Sequence, residues 1–495
     1  MGERAEPGPG EPARSAGERA LKNTAARAGG EIVGKIATFV LFAALARATG
    51  ESGFGAFVFA LAYLELVLVP VGMGCDFYLV REVARDRSAL DRLFFQVIGL
   101  KLALAGPVLG TGFAILTVAG YEGRVIETVC VLAAGLLLDL LGRSLQAVFN
   151  AFERSELLAL SLMVQRLTTM ALGVTALSIG YGVVTVAAIY SLGAAVGLAS
   201  GLALVVTRVG LPRFRLSPRG WPRLARTSLP FAVQDALGTL LFRLDALMLS
   251  AIAGQAAVGR YGAAYRLLES TAFVGWALNG AFAAMFVYLG NDTDPPLRAV
   301  FGRALKLALA LLVPVAVPMA LLAEPLATLI YGSDFEEAAE PMLLLAPVVV
   351  MLPLVALSTS LIISRRGPRV MMRVTGVMVV LNLILNALLI PSLEDQGAAI
   401  AMLATEAAFL VAALRLAVPE AGGIGWMRTL AAPVSAGVAM TVAVLALQAT
   451  PVTAFVVGLA AYGVVLVGVE HVVSPADLRF VTGTVRRWLP SRSAA

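Results

Sequence analysis

From residue 29 to residue 470 the chain repeats one pattern: an apolar run of about twenty residues or more, a short polar or glycine-rich break, then another run. The runs fall near 29–48, 53–77, 93–119, 125–149, 157–180, 183–207, 229–253, 258–288, 303–330, 341–363, 370–391, 397–418, 429–449 and 452–470. A helix rises about 1.5 Å per residue, so about twenty residues cross a hydrocarbon core of roughly 30 Å. The pattern predicts an all-α, polytopic membrane protein of about fourteen transmembrane helices, with no soluble domain between them.

The basic residues test that number, because a miscounted span would scramble the alternation of basic and non-basic loops. With the amino terminus inside, the cytoplasmic segments hold Arg81, Arg85, Arg87 and Arg92, then Arg208, Arg213, Arg215, Arg219, Arg223 and Arg226, then Arg365, Arg366, Arg369 and Arg373. The carboxy-terminal tail adds Arg479, Arg486 and Arg487, while the external loops hold little beyond Arg47, Arg124 and Arg260. The longest external loop, Tyr331 to Glu340, is acidic. The alternation holds throughout and predicts that both termini are cytoplasmic.

The polar stretches divide the chain further. Residues 1–28 have no apolar run and are rich in Gly, Pro, Ala, Glu and Arg, the composition of a disordered cytoplasmic tail rather than a signal peptide. The Arg- and Pro-rich segment 208–228 reads as a linker between an amino-terminal lobe of six spans, 29–207, and a second of six, 229–418. Spans thirteen and fourteen, 429–470, precede a tail at 471–495. A weak internal similarity supports two halves: Phe54-Gly55-Ala56 opens span two ahead of Glu65, and Tyr261-Gly262-Ala263 opens span eight ahead of Glu269. Prolines inside spans, among them Pro70, Pro107, Pro230, Pro314, Pro318, Pro347 and Pro353, favour bends. Gly193, Gly197 and Gly201 give span six a stripe for close helix packing.

Composition narrows the function. The chain is 59% hydrophobic and 14% charged with a net charge of +6, but its basic residues sit in loop clusters that serve topology, which argues against nucleic-acid binding. Two cysteines, Cys75 and Cys130, lack metal or disulfide spacing, and the single histidine, His471, lies just past the last predicted span. No G-x-x-x-x-G-K-[ST], G-x-S-x-G or H-E-x-x-H occurs. These absences point to a transporter without cofactor rather than an enzyme.

The candidate chemistry lies in ionisable residues within the spans. Each Arg, Lys or Asp at a helix centre costs roughly 2.5 to 3.5 kcal/mol on the insertion scale, and each Leu, Ile, Phe or Val returns only about 0.3 to 0.6. Span seven carries Arg243, Asp245 and Asp235, so its charged side must face protein or water. The same holds for Lys35, Glu65, Lys101, Asp139, Arg143, Arg166, Arg266 and Glu269. Spacing puts Asp139 with Arg143, Arg266 with Glu269 and Glu31 with Lys35 on shared helix faces. Asp139 and Arg143 read as a structural ion pair, and Lys101 as a side chain snorkelling to the cytoplasmic interface. Lys35, Arg243, Arg266 and Arg166 read as the lining of a substrate cavity suited to an anionic phosphate. Glu65, Asp245 and Glu269 either neutralise those cations or bind a coupling proton or sodium ion; the sequence leaves both readings open.

Several stretches carry a family likeness. Leu45-Ala46-Arg47-Ala48-Thr49-Gly50 with Gly53-Phe54-Gly55, followed by Arg81-Glu82-Val83-Ala84-Arg85-Asp86, resembles the amino-terminal signature of bacterial polysaccharide repeat-unit flippases, within the multidrug/oligosaccharidyl-lipid/polysaccharide exporter superfamily. Asn150 to Arg154, Val258 to Leu267, Asn382 to Asn386 leading to Pro391, and Gly397 to Ala401 closed by Thr405-Glu406 extend the resemblance over nearly the whole chain after residue 21. It implies two six-helix lobes around a central cavity, two extra carboxy-terminal helices and alternating access in the cytoplasmic membrane. It also implies a polyprenyl-diphosphate-linked oligosaccharide as cargo, moved to the outer leaflet, with polysaccharide polymerase or export machinery as partners. A cation-coupled drug or small-solute antiporter would instead show an acid-dominated cavity. A membrane glycosyltransferase or ligase would show a large external loop, whereas the longest here is about ten residues.

Overall fold

The computed structural model describes the backbone of residues 12–475 except 122, 211, 291, 292, 294, 448 and 449, and side chains from residue 29 onward, that of Trp276 excepted. The described residues contain fourteen α-helices, two short 3-10 turns and no strand. In order the helices are α1 (Pro12–Val67), α2 (Val69–Gly72), α3 (Cys75–Arg85), α4 (Ala89–Val118), α5 (Arg124–Ala151), α6 (Ser155–Ser178) and α7 (Val183–Arg208). They continue with α8 (Trp221–Tyr288), α9 (Leu297–Leu321), α10 (Ala323–Tyr331), α11 (Ala339–Arg366), α12 (Pro368–Glu420), α13 (Trp426–Ala446) and α14 (Pro451–Val473).

Among the described residues eleven helical stretches are long and apolar enough to cross a bilayer, but three of them, of 44, 71 and 53 residues, are too long for a single crossing. Each of these contains a break in its dihedrals, at Gly50 (φ 65°), Gly254 (φ 85°) and Glu394 (φ 46°). The breaks fall between predicted spans one and two, seven and eight, and eleven and twelve. With each double stretch counted twice, the eleven become fourteen crossing segments, the number expected from the sequence. Left-handed backbone costs an L residue about 1–2 kcal/mol, which suits glycine at the first two sites and makes Glu394 an exception.

Local chemistry moves several expected boundaries. Span two, expected to run to residue 77, breaks after Val67: Pro70 lacks the amide that would continue the ladder, and Met73 and Gly74 turn left-handed. Gly74 is needed twice over, since a Cβ there would also lie 2.5 Å from the Ala232 amide nitrogen of α8. Span nine breaks at Leu322, between α9 and α10, because Pro325 in the first turn of α10 has no amide to donate backwards. The tail expected to be irregular over 1–28 is helical from Pro12 on; Pro at the start followed by Ala, Arg, Glu, Leu and Lys is a good helix opening. Residues 1–11 and 476–495 lie outside the described residues. His471 sits in the last turn of α14 rather than past the last span.

Two compact units result, Met1–Leu247 and Met248–Ala495. The division falls inside α8 rather than at the linker 208–228, and part of that linker, from Trp221, is already helix. The reason is that the first half of α8 packs on the first unit: Ser228 Oγ lies 3.5 Å from Cys75 Sγ, and Phe77 stacks on Phe231 at 6.4 Å. Within this unit α7 packs on α5 and α6. Gly193, Gly197 and Gly201 face Thr169, Gln165 and Ser161 of α6, so the stripe does serve close packing.

Candidate functional site

In the first unit the membrane charges meet across helices. Glu65 of α1 accepts from Arg243 Nε of α8 at 2.5 Å, with both side chains only partly exposed. Arg166 of α6 reaches Glu31 of α1 at 3.5 Å. Gly34 makes that approach feasible, because a Cβ there would lie 2.7 Å from Arg166 Cδ and Nη1. Lys35 follows, half-buried on the same helix. Asp139 and Arg143 of α5 form the expected pair at 3.3 Å through Nε, and Gln165 Nε2 holds the other Asp139 oxygen at 3.0 Å. Gln165 is itself packed against Gly197, so the glycine stripe positions the amide that orients Asp139. Asp245 is almost wholly buried at 1% exposure, and Asp235 is half-buried within the electrostatic reach of Arg143, Asp76 and Lys101.

Lys101 requires a correction. It does not snorkel: its side chain is fully buried, and Nζ donates to both Asp76 oxygens, to the Leu140 carbonyl and to Ser144 Oγ, each at 2.8 Å. Ser144 Oγ in turn donates to Asp76 Oδ1 at 2.7 Å. An ammonium has three protons and can be saturated internally, which removes the drive to reach water. Asp76 was missed because the apolar run carries on past it. The signal was its place beside the Met73-Gly74 break, where it opens α3.

In the second unit Arg266 and Glu269 pair on one face of α8, as their spacing predicts. Arg260, read from sequence as a loop residue, lies within the second half of α8 at 12% side-chain exposure, bonding Asp395 at 2.8 Å and Glu394 at 3.1 Å. Two further features were not among the candidate site residues. Lys306 of α9 joins Glu470 of α14 at 2.9 Å, both nearly buried, although each sits at a predicted span end where charge is unremarkable. Asn382, Asn386, Thr405 and Glu406 of α12 are buried, with Asn386 Nδ2 donating to Asn382 Oδ1 at 3.0 Å. The i, i+4 spacing of the two asparagines was the available signal. A cavity of about 300 Å³ lined by Ala48, Thr49, Arg124 and Gly182 to Thr185 contains none of the expected cavity cations.

The arrangement stores cations inside the spans without bare charge. Arg243, Arg166 and Arg266 each rest on a carboxylate, and a phosphate entering beside one would exchange one anionic partner for another. Arg143 is the most open, with 52% of its side chain exposed.

Comparison with known proteins places this architecture. "Probable low-salt glycan biosynthesis flippase Agl15" of Haloferax volcanii is 23% identical over 360 residues, 72% of this chain and 74% of the relative. Among solved structures, the lipid II flippase MurJ in an inward closed conformation matches with a TM-score of 0.71 at 12% identity, over 91% of this chain and 99% of that one. An inward-facing multidrug resistance MATE family transporter of the MOP superfamily matches at 0.61 and 14% identity, over 79% and 96%. A MOP superfamily transporter from Pyrococcus furiosus, described as having reversed binding-pocket polarity, matches at 0.60 and 13%, over 80% and 94%. The MatE family model matches residues 230–388. The model of the polysaccharide biosynthesis protein family matches residues 20–274, more than half of the 495 residues. The chain belongs to the polysaccharide biosynthesis protein family.

Proposed function

We propose that the protein is a flippase that carries polyprenyl-diphosphate-linked oligosaccharide repeat units from the cytoplasmic to the outer leaflet by alternating access. The observation that carries this reading is the set of membrane arginines held against carboxylates, Arg243 on Glu65, Arg166 on Glu31 and Arg266 on Glu269. A drug antiporter of cationic cargo needs free acids, whereas here Glu31, Glu65 and Glu269 are occupied by arginines and the exchangeable partner is an anion. The family match and the likeness to a glycan biosynthesis flippase support a sugar cargo.

In this reading Lys35, Arg166 and Arg243 of the first unit offer cations to a diphosphate, Arg266 does so within the second unit, and the lipid tail stays in the bilayer. Glu65 and Glu269 balance Arg243 and Arg266 when no cargo is present, and buried Asp245 serves either charge balance or the binding of a coupling proton or sodium ion. The protein works in the cytoplasmic membrane with both termini inside, as two six-helix lobes with two additional carboxy-terminal helices, and supplies a polysaccharide polymerase or export machine. The test is reconstitution into vesicles with a fluorescent polyprenyl-diphosphate sugar. Leaflet exchange without efflux of cationic dyes is expected, and dye efflux without lipid exchange would transfer the assignment to the antiporter reading.

A further inference from the structure

Between α7 and α8 the chain crosses the end of the first unit as a strap whose backbone is tied down and whose arginines are not. Gln96 Nε2 donates to the Arg215 carbonyl at 3.1 Å, the Arg213 amide donates to Asp91 Oδ1 at 2.9 Å, and Arg154 Nη1 donates to the Arg208 carbonyl at 3.0 Å. The Phe214 ring lies 4.9 Å from Phe95, and Leu216 fills the space left by Gly99, where a Cβ would lie 2.5 Å from its Cδ1. Trp221 closes the strap by packing with Cys75, Val97, Leu100 and Leu224.

The charge is on the outside. Arg213, Arg215, Arg219, Arg223 and Arg226 are all exposed, and only Arg213 has a carboxylate within reach, Asp91 at 3.9 Å. The other four guanidinium groups make no side-chain hydrogen bond or ion pair with any described residue. Like charges this close repel unless an anion stands between them, and the Debye length of about 8 Å at physiological salt is too long to isolate them. Phe214, 73% exposed despite its contact with Phe95, sets an apolar ring among them. The strap begins where α7 ends at Arg208 and stops where α8 starts at Trp221, which puts it at the level where spans leave the bilayer.

We propose that this strap together with the first turns of α8, from Arg213 to Arg226, is a binding surface for the anionic phospholipid headgroups of the leaflet it meets. Guanidinium groups donate to phosphate oxygens in pairs, and Phe214 enters the boundary between headgroups and acyl chains. Zwitterionic lipid offers the same phosphate with no net charge, so the surface selects against it. Bound headgroups hold the ends of α7 and α8 at a fixed depth, and the lipid composition of the leaflet thereby adjusts the stability of the first unit.

The experiment uses the full-length protein purified in detergent and offered phosphatidylglycerol or phosphatidylcholine, with retained lipid counted by native mass spectrometry and unfolding followed by heating. Wild type should retain phosphatidylglycerol and gain thermal stability from it, and do neither with phosphatidylcholine. The triple variant Arg215→Gln, Arg219→Gln, Arg223→Gln should bind phosphatidylglycerol about a hundredfold more weakly, at about fivefold per arginine, while the corresponding triple Lys variant keeps most of the binding. If the Gln variant does not purify folded, the wild type in about 0.5 M salt serves instead and should release its lipid. Undiminished retention in the Gln variant or at high salt, equal retention of phosphatidylcholine, or displacement of the lipid by millimolar inorganic phosphate would each overturn the proposal.

Discussion

Glu65 and Arg243 lie 178 residues apart in sequence and 2.5 Å apart in space, and their bond ties the second span to the seventh within one unit. A fully buried pair broken on one side costs about 3–5 kcal/mol, but the Glu65 and Arg243 side chains are 29% and 17% exposed, so about 1–2 kcal/mol is expected from Glu65→Gln or Arg243→Gln. The double variant should recover part of that loss, with a coupling of about 1 kcal/mol in a thermal-unfolding cycle. Arg243→Gln should also slow leaflet exchange about tenfold at equal protein abundance, which sorts the binding role from the structural one. Additive losses in the cycle would dissolve the pair.

Lys101 offers a sharper test because nothing screens it. Lys101→Met removes the ammonium and leaves Asp76 and Ser144 with donors missing, so it should lower stability by about 3–5 kcal/mol and cut the yield of folded protein. Asp76→Asn in the same background should restore part of it, since the uncompensated carboxylate is then gone. A snorkelling lysine would tolerate methionine with little change.

The difference between these residues and those read correctly is one of range. Helix existence and number were legible because every crossing must bury its own backbone and show as an apolar run, and even the hidden turns at Gly50 and Gly254 were marked by breaks in those runs. Pairs such as Arg266 with Glu269 were legible because three residues on a helix fix a shared face. Lys101 with Asp76, Lys306 with Glu470 and Arg260 with Asp395 were not, because each joins separate helices and hydropathy carries no information about which helices touch. Boundary effects compounded this: a charge at a span end looks solvated until the neighbouring helix is known.

The Gly34 and Arg166 contact predicts a suppressor relationship. Gly34→Val places a side chain where Arg166 Cδ and Nη1 now lie, so it should displace the guanidinium from Glu31 and reduce leaflet exchange severalfold. Arg166→Ala alone should also reduce exchange, but adding Gly34→Val to it should lower thermal stability by less than Gly34→Val does in wild type. Equal penalties in both backgrounds would show that the helix approach, not the arginine, requires the glycine.

Outside the membrane, Asp86 at the end of α3 should give a pH signature. Its carboxylate accepts from the Ser88 hydroxyl at 2.8 Å and the Ser88 amide at 2.9 Å, with Arg92 adding a third bond, and these hold its pKa below the ordinary carboxylate value. A depressed pKa in the folded state contributes stability above the unfolded value of about 3.9 and loses it as pH falls through the folded value. The melting-temperature gap between wild type and Asp86→Asn should therefore be constant from about pH 7 to pH 5 and shrink as the pH falls below the unfolded value of about 3.9. A gap that persists in acid would assign the effect to shape rather than charge.

The break in α12 makes a prediction in which substitutions at the two ends of one ion pair, Glu394 and Arg260, differ in outcome. Glu394 holds φ 46° and ψ −124°, a conformation that a residue with a Cβ resists, and Gly397 packs so closely on the Leu389 carbonyl that a Cβ there would lie 2.6 Å away. Arg260 stabilises the turn by reaching both Glu394 and the 5%-exposed Asp395. Glu394→Gly removes about 1 kcal/mol of backbone strain and only an exposed ion pair worth less than about 1 kcal/mol, so it should leave thermal stability unchanged or raise it. Arg260→Ala strips the counter-ion from buried Asp395 and should lower stability by about 3 kcal/mol, with partial rescue by Asp395→Asn. If Glu394→Gly were as damaging as Arg260→Ala, the carboxylate at the exposed position, not the buried one, would be what anchors Arg260 and closes the turn between the last two spans of α12.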